Sequence, residues 1–188
     1  MERTKFLEQL IAHGCLKFGR FTLKSGQISP YYMDLRMIIS SPTLLASVAD
    51  AYASLLSGME FDRLAAVPLA ALPIAAAVSL RLDVPFVYPR IVAKQHGTGN
   101  NIEGFFRPTD RVVLLDDVIS TAKSKLEAIE VLEREGLKIT DLVVLVDRES
   151  GGKEELEQRG LRLHSYARIS ELLEVAEKLG LMSTAPAV

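Results

Sequence analysis

Apolar and polar positions alternate along the chain in a way that predicts short buried strands between longer helices. Residues 6–15 carry apolar side chains at helical spacing, and residues 44–56 do the same behind the cap-forming residues 40–43. Residues 21–23 predict a short extended piece, and residues 24–30 a polar turn. Further strands are predicted at residues 63–67, 85–88, 112–115, 142–146 and 161–164, and further helices at residues 70–82, 123–135, 153–159 and 169–179.

This order of elements indicates an α/β fold. Short strands that alternate with longer helices form a parallel sheet that helices cover on both faces. No linker, repeat or low-complexity stretch interrupts residues 1–188, so we predict a single domain with a small N-terminal cap over about residues 1–40. The polar residues 93–101 predict a mobile loop, and residues 150–152 a turn. Residues 183–188 predict a disordered tail.

Composition narrows the possible classes of function. The chain has 188 residues and a formal net charge of −2, which argues against a general nucleic-acid binder. The single cysteine, Cys15, excludes an internal disulfide and fits a reducing cytosol, and three scattered histidines do not give the usual zinc-ligand spacings. The most apolar stretch, residues 64–80, is interrupted by Pro68 and Pro73 and does not predict a membrane span. We therefore expect a soluble cytoplasmic protein that binds neither membrane nor nucleic acid.

Residues 112–124 carry the most informative chemistry. Asp116 and Asp117 follow an apolar run at the carboxyl end of a predicted strand, and a hydroxyl-rich loop and a helix come next. Ligands bind at this edge of open α/β sheets, and a helix start suits a phosphate. The carboxylates suit ribose hydroxyls or a magnesium shell instead. The alternative is structural, in which the two acids only end a strand and cap a helix.

This segment resembles the phosphoribosyl diphosphate (PRPP) binding loop of type I phosphoribosyltransferases. Residues 21–36, with their Leu-Lys-Ser-Gly turn, further resemble the amino-terminal signature of orotate phosphoribosyltransferases. This second resemblance implies that Phe21 and Lys24 lie by the base and the diphosphate. A lysine can offset the charge of a carboxylate or diphosphate, and Gly26 permits a tight turn. The alternative is a surface hairpin with one solvated lysine.

Residues 145–152 resemble the Asp-Arg-Glu turn of the same family. There the arginine reaches orotate, which implies that Arg148 does so here, and Ser120 matches another residue that touches orotate. The guanidinium fork of an arginine matches a planar carboxylate or carbonyl edge. An ion pair of Arg148 with Asp147 or Glu149 is the alternative.

Residues 89–104 resemble the catalytic flap of the family. Arg90, Lys94 and His96 match its pattern, and Ile91 and Val92 stand where a lysine and a glutamate are expected. A polar loop with glycines can close over a site and bring cations to a leaving diphosphate. The resemblance places Lys94 and His96 on the diphosphate and Arg90 at the hinge. Taken alone, His96 would be read as an exposed loop histidine.

The chain also departs from the family near the phosphates. Ala122 stands where the family has glycine, Lys123 where it has a small residue, and Ala70 where many relatives carry a lysine or polar group facing the diphosphate. A positive φ at Ala122 would strain an alanine by about 1 kcal/mol, whereas a negative φ would remove that objection. Lys123 either adds charge to the loop or points to solvent.

Together, the resemblances imply a type I phosphoribosyltransferase fold with the activity of an orotate phosphoribosyltransferase in pyrimidine synthesis. They imply Mg²⁺ held mainly by PRPP, with no direct side-chain ligand, and a homodimer whose flap serves the neighbouring subunit. The implied catalytic residues are Lys94, His96, Asp116 and Asp117, and the implied orotate-binding residues are Phe21, Lys24, Ser120 and Arg148. The implied PRPP-binding residues are Arg90, Lys94, His96, Asp116, Asp117, Val118, Ile119, Ser120, Thr121, Ala122, Lys123 and Ser124. The alternatives are a weakly active binding protein for orotate or a nucleotide, and a transferase for another base.

Overall fold

The computed structural model describes residues 2–22, 26, 28–90 and 101–182. In chain order, its elements are α1 (Arg3–Ala12), β1 (Leu16–Thr22), β2 (Ile28–Met33), a 3-10 helix (Leu35–Ser40), α2 (Pro42–Leu56), β3 (Arg63–Ala66), α3 (Ala71–Leu82), β4 (Phe86–Pro89), β5 (Ile102–Glu103), β6 (Arg111–Ile119), α4 (Lys123–Arg134), β7 (Lys138–Asp147), α5 (Gly152–Glu157), β8 (Arg162–Arg168) and α6 (Ile169–Lys178).

The chain forms two compact units. One comprises Met1–Ser47 with Ile169–Val188, and the other comprises Val48–Arg168. The single domain with a cap at about residues 1–40 stays a prediction, and the predicted tail at residues 183–188 lies outside the described residues. Within the described part of the chain, no helix has the length and apolar character to cross a membrane.

The first unit consists of helices and one antiparallel hairpin. The predicted first helix is confirmed as α1, which buries Phe6, Leu7, Leu10 and Ile11. Strands β1 and β2 pair antiparallel, so residues 28–30, predicted as part of a turn, belong to a strand. Pro30 made this strand hard to predict, because proline lacks the backbone N–H that pairs in a sheet. In a two-stranded hairpin both strands are edge strands, where this missing hydrogen bond is tolerated.

The second unit is built on a six-stranded sheet in the order β5-β4-β3-β6-β7-β8. Strands β4, β3, β6, β7 and β8 run parallel, and only the two-residue strand β5 pairs antiparallel. The prediction of an α/β fold with a mostly parallel sheet is therefore confirmed. The central strands are fully buried runs, and Leu114, Leu115, Leu142 and Val143 have no exposed surface. Such strands depend on neighbours on both faces.

Strand β6 is longer than its apolar run predicts. It pairs with β7 as far as the partners Ile119 and Asp147, so Asp116 and Asp117 lie inside the strand and not after it. The strand was predicted to end before these carboxylates. It continues past them because Val118 and Ile119 also pair with β7. The acidic pair is thus held by regular backbone pairing on a rigid element.

Candidate active site

The carboxyl ends of β6 and β7 lie side by side and bring two predicted motifs together. The backbone N–H of Arg148 donates to the carbonyl oxygen of Ile119 at 2.8 Å, and the N–H of Gly152 donates to that of Ser120 at 3.1 Å. Gly152 cannot carry a side chain here, because a Cβ would stand 2.6 Å from Cγ1 of Ile119. The loop after β6 therefore rests directly on the turn after β7.

Ser120 and Arg148, predicted from separate motifs to contact orotate, meet across this junction. An Nη1–H of Arg148 donates to Oγ of Ser120 over 3.2 Å. Both side chains are partly buried, which leaves them accessible to a ligand while their backbones stay paired. The arrangement presents a guanidinium group beside a hydroxyl, a combination suited to a planar anion.

Asp116 is buried, and both of its carboxylate oxygens have partners. Oδ1 accepts a hydrogen bond from the N–H of Asp117 at 2.9 Å, and Oδ2 forms an ion pair with Nζ of Lys125 at 2.7 Å. The hydroxyl of Tyr52 donates to the carbonyl oxygen of Asp116 at 2.6 Å. The side chains of Asp116 and Lys125 are only 6% and 8% exposed, so this pair is shielded from solvent.

Sequence reasoning missed Lys125, although the pattern of α4 contains the signal. The buried residues of this helix are Lys125, Ala128, Ile129 and Leu132. Their spacing of three, four and seven positions defines one helix face, and Lys125 lies on the same face as the apolar residues. A lysine on a buried face needs a carboxylate partner, and Asp116 supplies it.

Asp117 is more accessible than Asp116 and differs from it electrostatically. Its Oδ1 accepts a hydrogen bond from the N–H of Val118 at 2.8 Å. Burial, reinforced by the neighbouring Asp116, raises the pKa of Asp117 to about 7, while Lys125 acts in the opposite direction. Neither aspartate caps α4, whose N-cap Ala122 has no side-chain capping bond, so the structural alternative of a helix cap is wrong.

Ala122 adopts a conformation that any residue can take. Its φ is −81° and its ψ is −5°, so the strain expected for a positive φ is absent. The side chain is fully buried, and its N–H donates to Oε2 of Glu155 at 2.8 Å. Sequence reasoning also missed Glu155, because nothing in the pattern of the short helix α5 shows which loop it faces. Lys123 is exposed, as its solvent-facing alternative predicted.

The remaining predicted residues are only partly described. Lys24 and the flap residues 91–100, which include Lys94 and His96, lie outside the described residues. Arg90 and Asn101 flank that segment in the chain. The N–H of Arg90 donates to the carbonyl oxygen of Asn101 at 2.8 Å, and the guanidinium of Arg90 pairs with Glu103.

Phe21 lies in the first unit, on strand β1. Its ring centroid is 5.6 Å from that of Tyr32 on strand β2, with the two ring planes tilted by 33°. In the second unit, Ala70 precedes α3 in helical conformation and offers no polar side chain there.

Among the described residues, no group of three or more His, Cys, Asp or Glu side chains could hold a metal ion. Asp117 offers carboxylate oxygens, the ligand type that Mg²⁺ prefers. Because Asp116 is engaged by Lys125, the described side chains suit a metal that arrives on a phosphate ligand better than one held by a protein cage.

Comparison with known proteins places these features in context. The family description "Phosphoribosyl transferase domain" matches residues 36–161. The chain is 39% identical over 176 residues to the orotate phosphoribosyltransferase of Pyrococcus abyssi, covering 93% of this chain and 97% of that protein. It is 45% identical over 164 residues to the uridine 5′-monophosphate synthase of Bos taurus. That alignment covers 86% of this chain but only 34% of the bovine protein, so the chain spans about a third of this longer relative.

A solved structure agrees with the sequence comparisons. The crystal structure of orotate phosphoribosyltransferase from Aeropyrum pernix superposes with a TM-score of 0.82 at 33% sequence identity. The superposition covers 93% of this chain and 98% of that one. The two chains therefore share one fold over nearly their whole length.

Proposed function

The chain belongs to the orotate phosphoribosyltransferase family, and on this premise we propose that it transfers the phosphoribosyl group of PRPP to N1 of orotate. The products are orotidine 5′-monophosphate and diphosphate, which places the reaction in pyrimidine synthesis. The relative from Pyrococcus abyssi supports this activity, because its name states it and this chain covers nearly all of it.

The observation that carries the proposal is the hydrogen bond between Arg148 and Ser120. Ser120 belongs to the segment that resembles the PRPP loop, and Arg148 belongs to the turn that resembles the base-recognition motif. A reaction that joins a sugar to a base requires the two binding segments to meet, and here they meet over 3.2 Å. The Arg148 fork would bind the planar edge of orotate, with the Ser120 hydroxyl beside it.

Each part of the site then has a role in one displacement. The bond from C1 of the sugar to the diphosphate would break, a bond from C1 to N1 of orotate would form, and the N1 proton of orotate would be released to solvent. Asp117 would accept hydrogen bonds from the ribose hydroxyls and favour positive charge on the sugar in the transition state. The N–H of Ala122 already donates to Glu155, so the other backbone N–H groups of residues 120–124 would bind the 5′-phosphate at the start of α4.

Cationic groups complete the proposed site at the leaving diphosphate. Lys94 and His96 would close on it, with Arg90 at the hinge of the flap. Mg²⁺, carried on the diphosphate, would neutralise its charge. The flap would serve the site of the neighbouring subunit in a homodimer, and the protein would act in the cytoplasm.

A spectrophotometric assay of orotate consumption tests this function. Orotate is mixed with PRPP, Mg²⁺ and the protein, and the Lys94→Ala variant serves as the control. We expect consumption that depends on PRPP and Mg²⁺ and falls at least about tenfold in the variant. A folded protein that binds orotate or its nucleotide in calorimetry without consuming it would instead be a binding protein. Consumption of another base in place of orotate would assign a different transferase.

A further inference from the structure

The ion pair between Lys125 and Asp116 is unusual because both side chains are almost completely buried. Nζ of Lys125 lies 2.7 Å from Oδ2 of Asp116, and the two side chains are 8% and 6% exposed. Nζ of Lys125 also donates to Oγ of Ser124 at 3.3 Å. Removing one member of such a pair leaves an uncompensated buried charge, whereas removing both does not.

The same contacts give the two aspartates different hydrogen-bond partners. Oδ1 of Asp116 accepts a hydrogen bond from the N–H of Asp117, and Oδ2 of Asp116 pairs with Lys125. Oδ1 of Asp117 accepts a hydrogen bond from the N–H of Val118. Within the described part of the chain, Oδ2 of Asp117 accepts no backbone hydrogen bond. The carboxyl groups of Asp116 and Asp117 also share a side-chain hydrogen bond. Of the two, Asp117 is the less buried and has an oxygen that backbone hydrogen bonds leave open.

We propose that Lys125 is a positioning residue that anchors Asp116 in the core and leaves Asp117 as the carboxylate that receives the ribose hydroxyls of PRPP. This inference rests on the proposed function and deepens it, because it assigns different roles to two adjacent acids. Asp116 sets the place of Asp117 through its hydrogen bond to the next backbone N–H. Lys125 acts through Asp116 and does not touch the substrate.

Lys125 also sets the charge around Asp117. Among the residues that the structure describes, the titratable groups that face the acidic pair are Tyr52 from α2, Lys125 from α4 and the two aspartates on β6 themselves. Lys125 lowers the pKa of Asp117, whereas burial and Asp116 raise it. While Asp116 stays ionised, loss of Lys125 raises the pKa of Asp117 further; if Asp116 takes up a proton instead, its own effect on Asp117 is lost, so in either case the charge around Asp117 changes.

The test compares Lys125→Met with Lys138→Met, which replaces an exposed lysine at the start of β7. In Lys125→Met we expect the KM for PRPP to rise at least about tenfold and the KM for orotate to change less than about twofold. The acid limb of the pH profile for kcat/KM should move away from its wild-type position, because Lys125 contributes to the charge around Asp117. The Lys138→Met variant should match the wild type in all three measurements.

Folding is checked by urea unfolding of the single variants and of the double variant Lys125→Met/Asp116→Asn. The midpoint should fall in Lys125→Met and recover in the double variant, because no buried charge is then left unpaired. If Lys125→Met does not fold, the kinetic measurements are made on Lys125→Arg, which keeps the charge and should retain the wild-type pH profile. An unchanged KM for PRPP and an unchanged acid limb in Lys125→Met would overturn the inference. A wild-type protein without turnover would overturn the proposed function, and the assigned sugar contact with it.

Discussion

At the scale of single residues, the methyl group of Ala122 is one of two features, with the side chain of Lys123, that distinguish the loop after β6 from the glycine-containing loops that it resembles. The methyl group of Ala122 is fully buried in the core of the second unit, next to side chains of that core. With φ at −81°, the backbone needs no glycine here. The bond from its N–H to Glu155 further fixes the residue. The alanine is therefore compatible with the observed loop conformation without backbone strain.

The Ala122→Gly variant tests this conclusion. We expect it to lower the free energy of unfolding by about 1 kcal/mol, because glycine adds backbone entropy to the unfolded chain and a buried methyl group is lost. Its kcat/KM for PRPP should stay within about twofold of the wild type. Urea unfolding and steady-state kinetics measure both quantities, with Ala128→Gly on the buried face of α4 as the control. A large gain in activity would show instead that the methyl group obstructs the phosphate.

The guanidinium group of Arg148 is the subject of a second prediction at this scale. In Arg148→Lys the positive charge remains, but the planar pair of donors is lost. The KM for orotate should rise about 10- to 100-fold, and the KM for PRPP less than about threefold. The matched control is Arg159→Lys, at an exposed arginine after α5, which should not alter either value. Equal increases for both substrates would argue against a specific contact with the base.

At the scale of elements, the loop after β6 and the turn after β7 form one packed unit. Four hydrogen bonds join these segments and the adjoining helix α5. The backbone N–H groups of Arg148 and Gly152 donate to residues 119 and 120, an Nη1–H of Arg148 donates to Ser120, and the N–H of Ala122 donates to Glu155 on α5. A displacement of either segment would therefore displace the other. If these segments bind sugar and base as proposed, the binding of one substrate would therefore affect the binding of the other.

The Gly152→Ala variant disturbs this junction directly. The new Cβ would stand 2.6 Å from Cγ1 of Ile119 and 2.9 Å from the carbonyl oxygen of Ser120. We expect a loss of about 1–3 kcal/mol in unfolding free energy from overpacking, together with lower kcat/KM for both substrates.

The control for this variant is Gly160→Ala, where nothing lies within 4 Å and only the positive φ of 75° causes strain. It should lose about 1–2 kcal/mol of stability without a kinetic change. If Gly152→Ala retained full activity with both substrates, the two segments would not be coupled.

The elements differ in how well the sequence predicts them. Periodicity identifies α1, α4 and the buried strands β3 and β7, because one apolar face or run is enough to specify each. Strand β5 has only two residues, too few for any pattern, and forms through pairing with β4. The extension of β6 through the acidic pair depends in the same way on the neighbouring strand β7.

The residues of the candidate site also differ in how well the sequence predicts them. Motifs in the sequence predicted Ser120 and Arg148 as members of one site, and the structure brings them together. The partners Lys125 and Glu155 were not predicted, since each is identified by a contact across the fold and not by its neighbours in the chain. Long-range contacts of this kind leave at most a weak trace in local spacing.

At the scale of the whole molecule, the proposed homodimer makes a quantitative prediction. If the flap of one subunit completes the site of the other, Lys94→Ala and Asp117→Asn remove different halves of each site. Mixing the two inactive variants should then restore about a quarter of the wild-type activity, because half of the random dimers contain one intact site. The measurement is orotate consumption after subunit exchange. A mixture no more active than its separate components would place flap and acids in one subunit.

The most direct test of the whole account is the quantity of product formed by the wild-type protein and by Asp117→Asn. Orotate, PRPP and Mg²⁺ are incubated with each protein, and orotidine 5′-monophosphate and diphosphate are separated and quantified. The account predicts equal molar amounts of the two products from the wild type, and a rate at least about 100-fold lower from the variant. Undiminished product formation by Asp117→Asn, or intact orotate in the presence of folded wild-type protein, would contradict it.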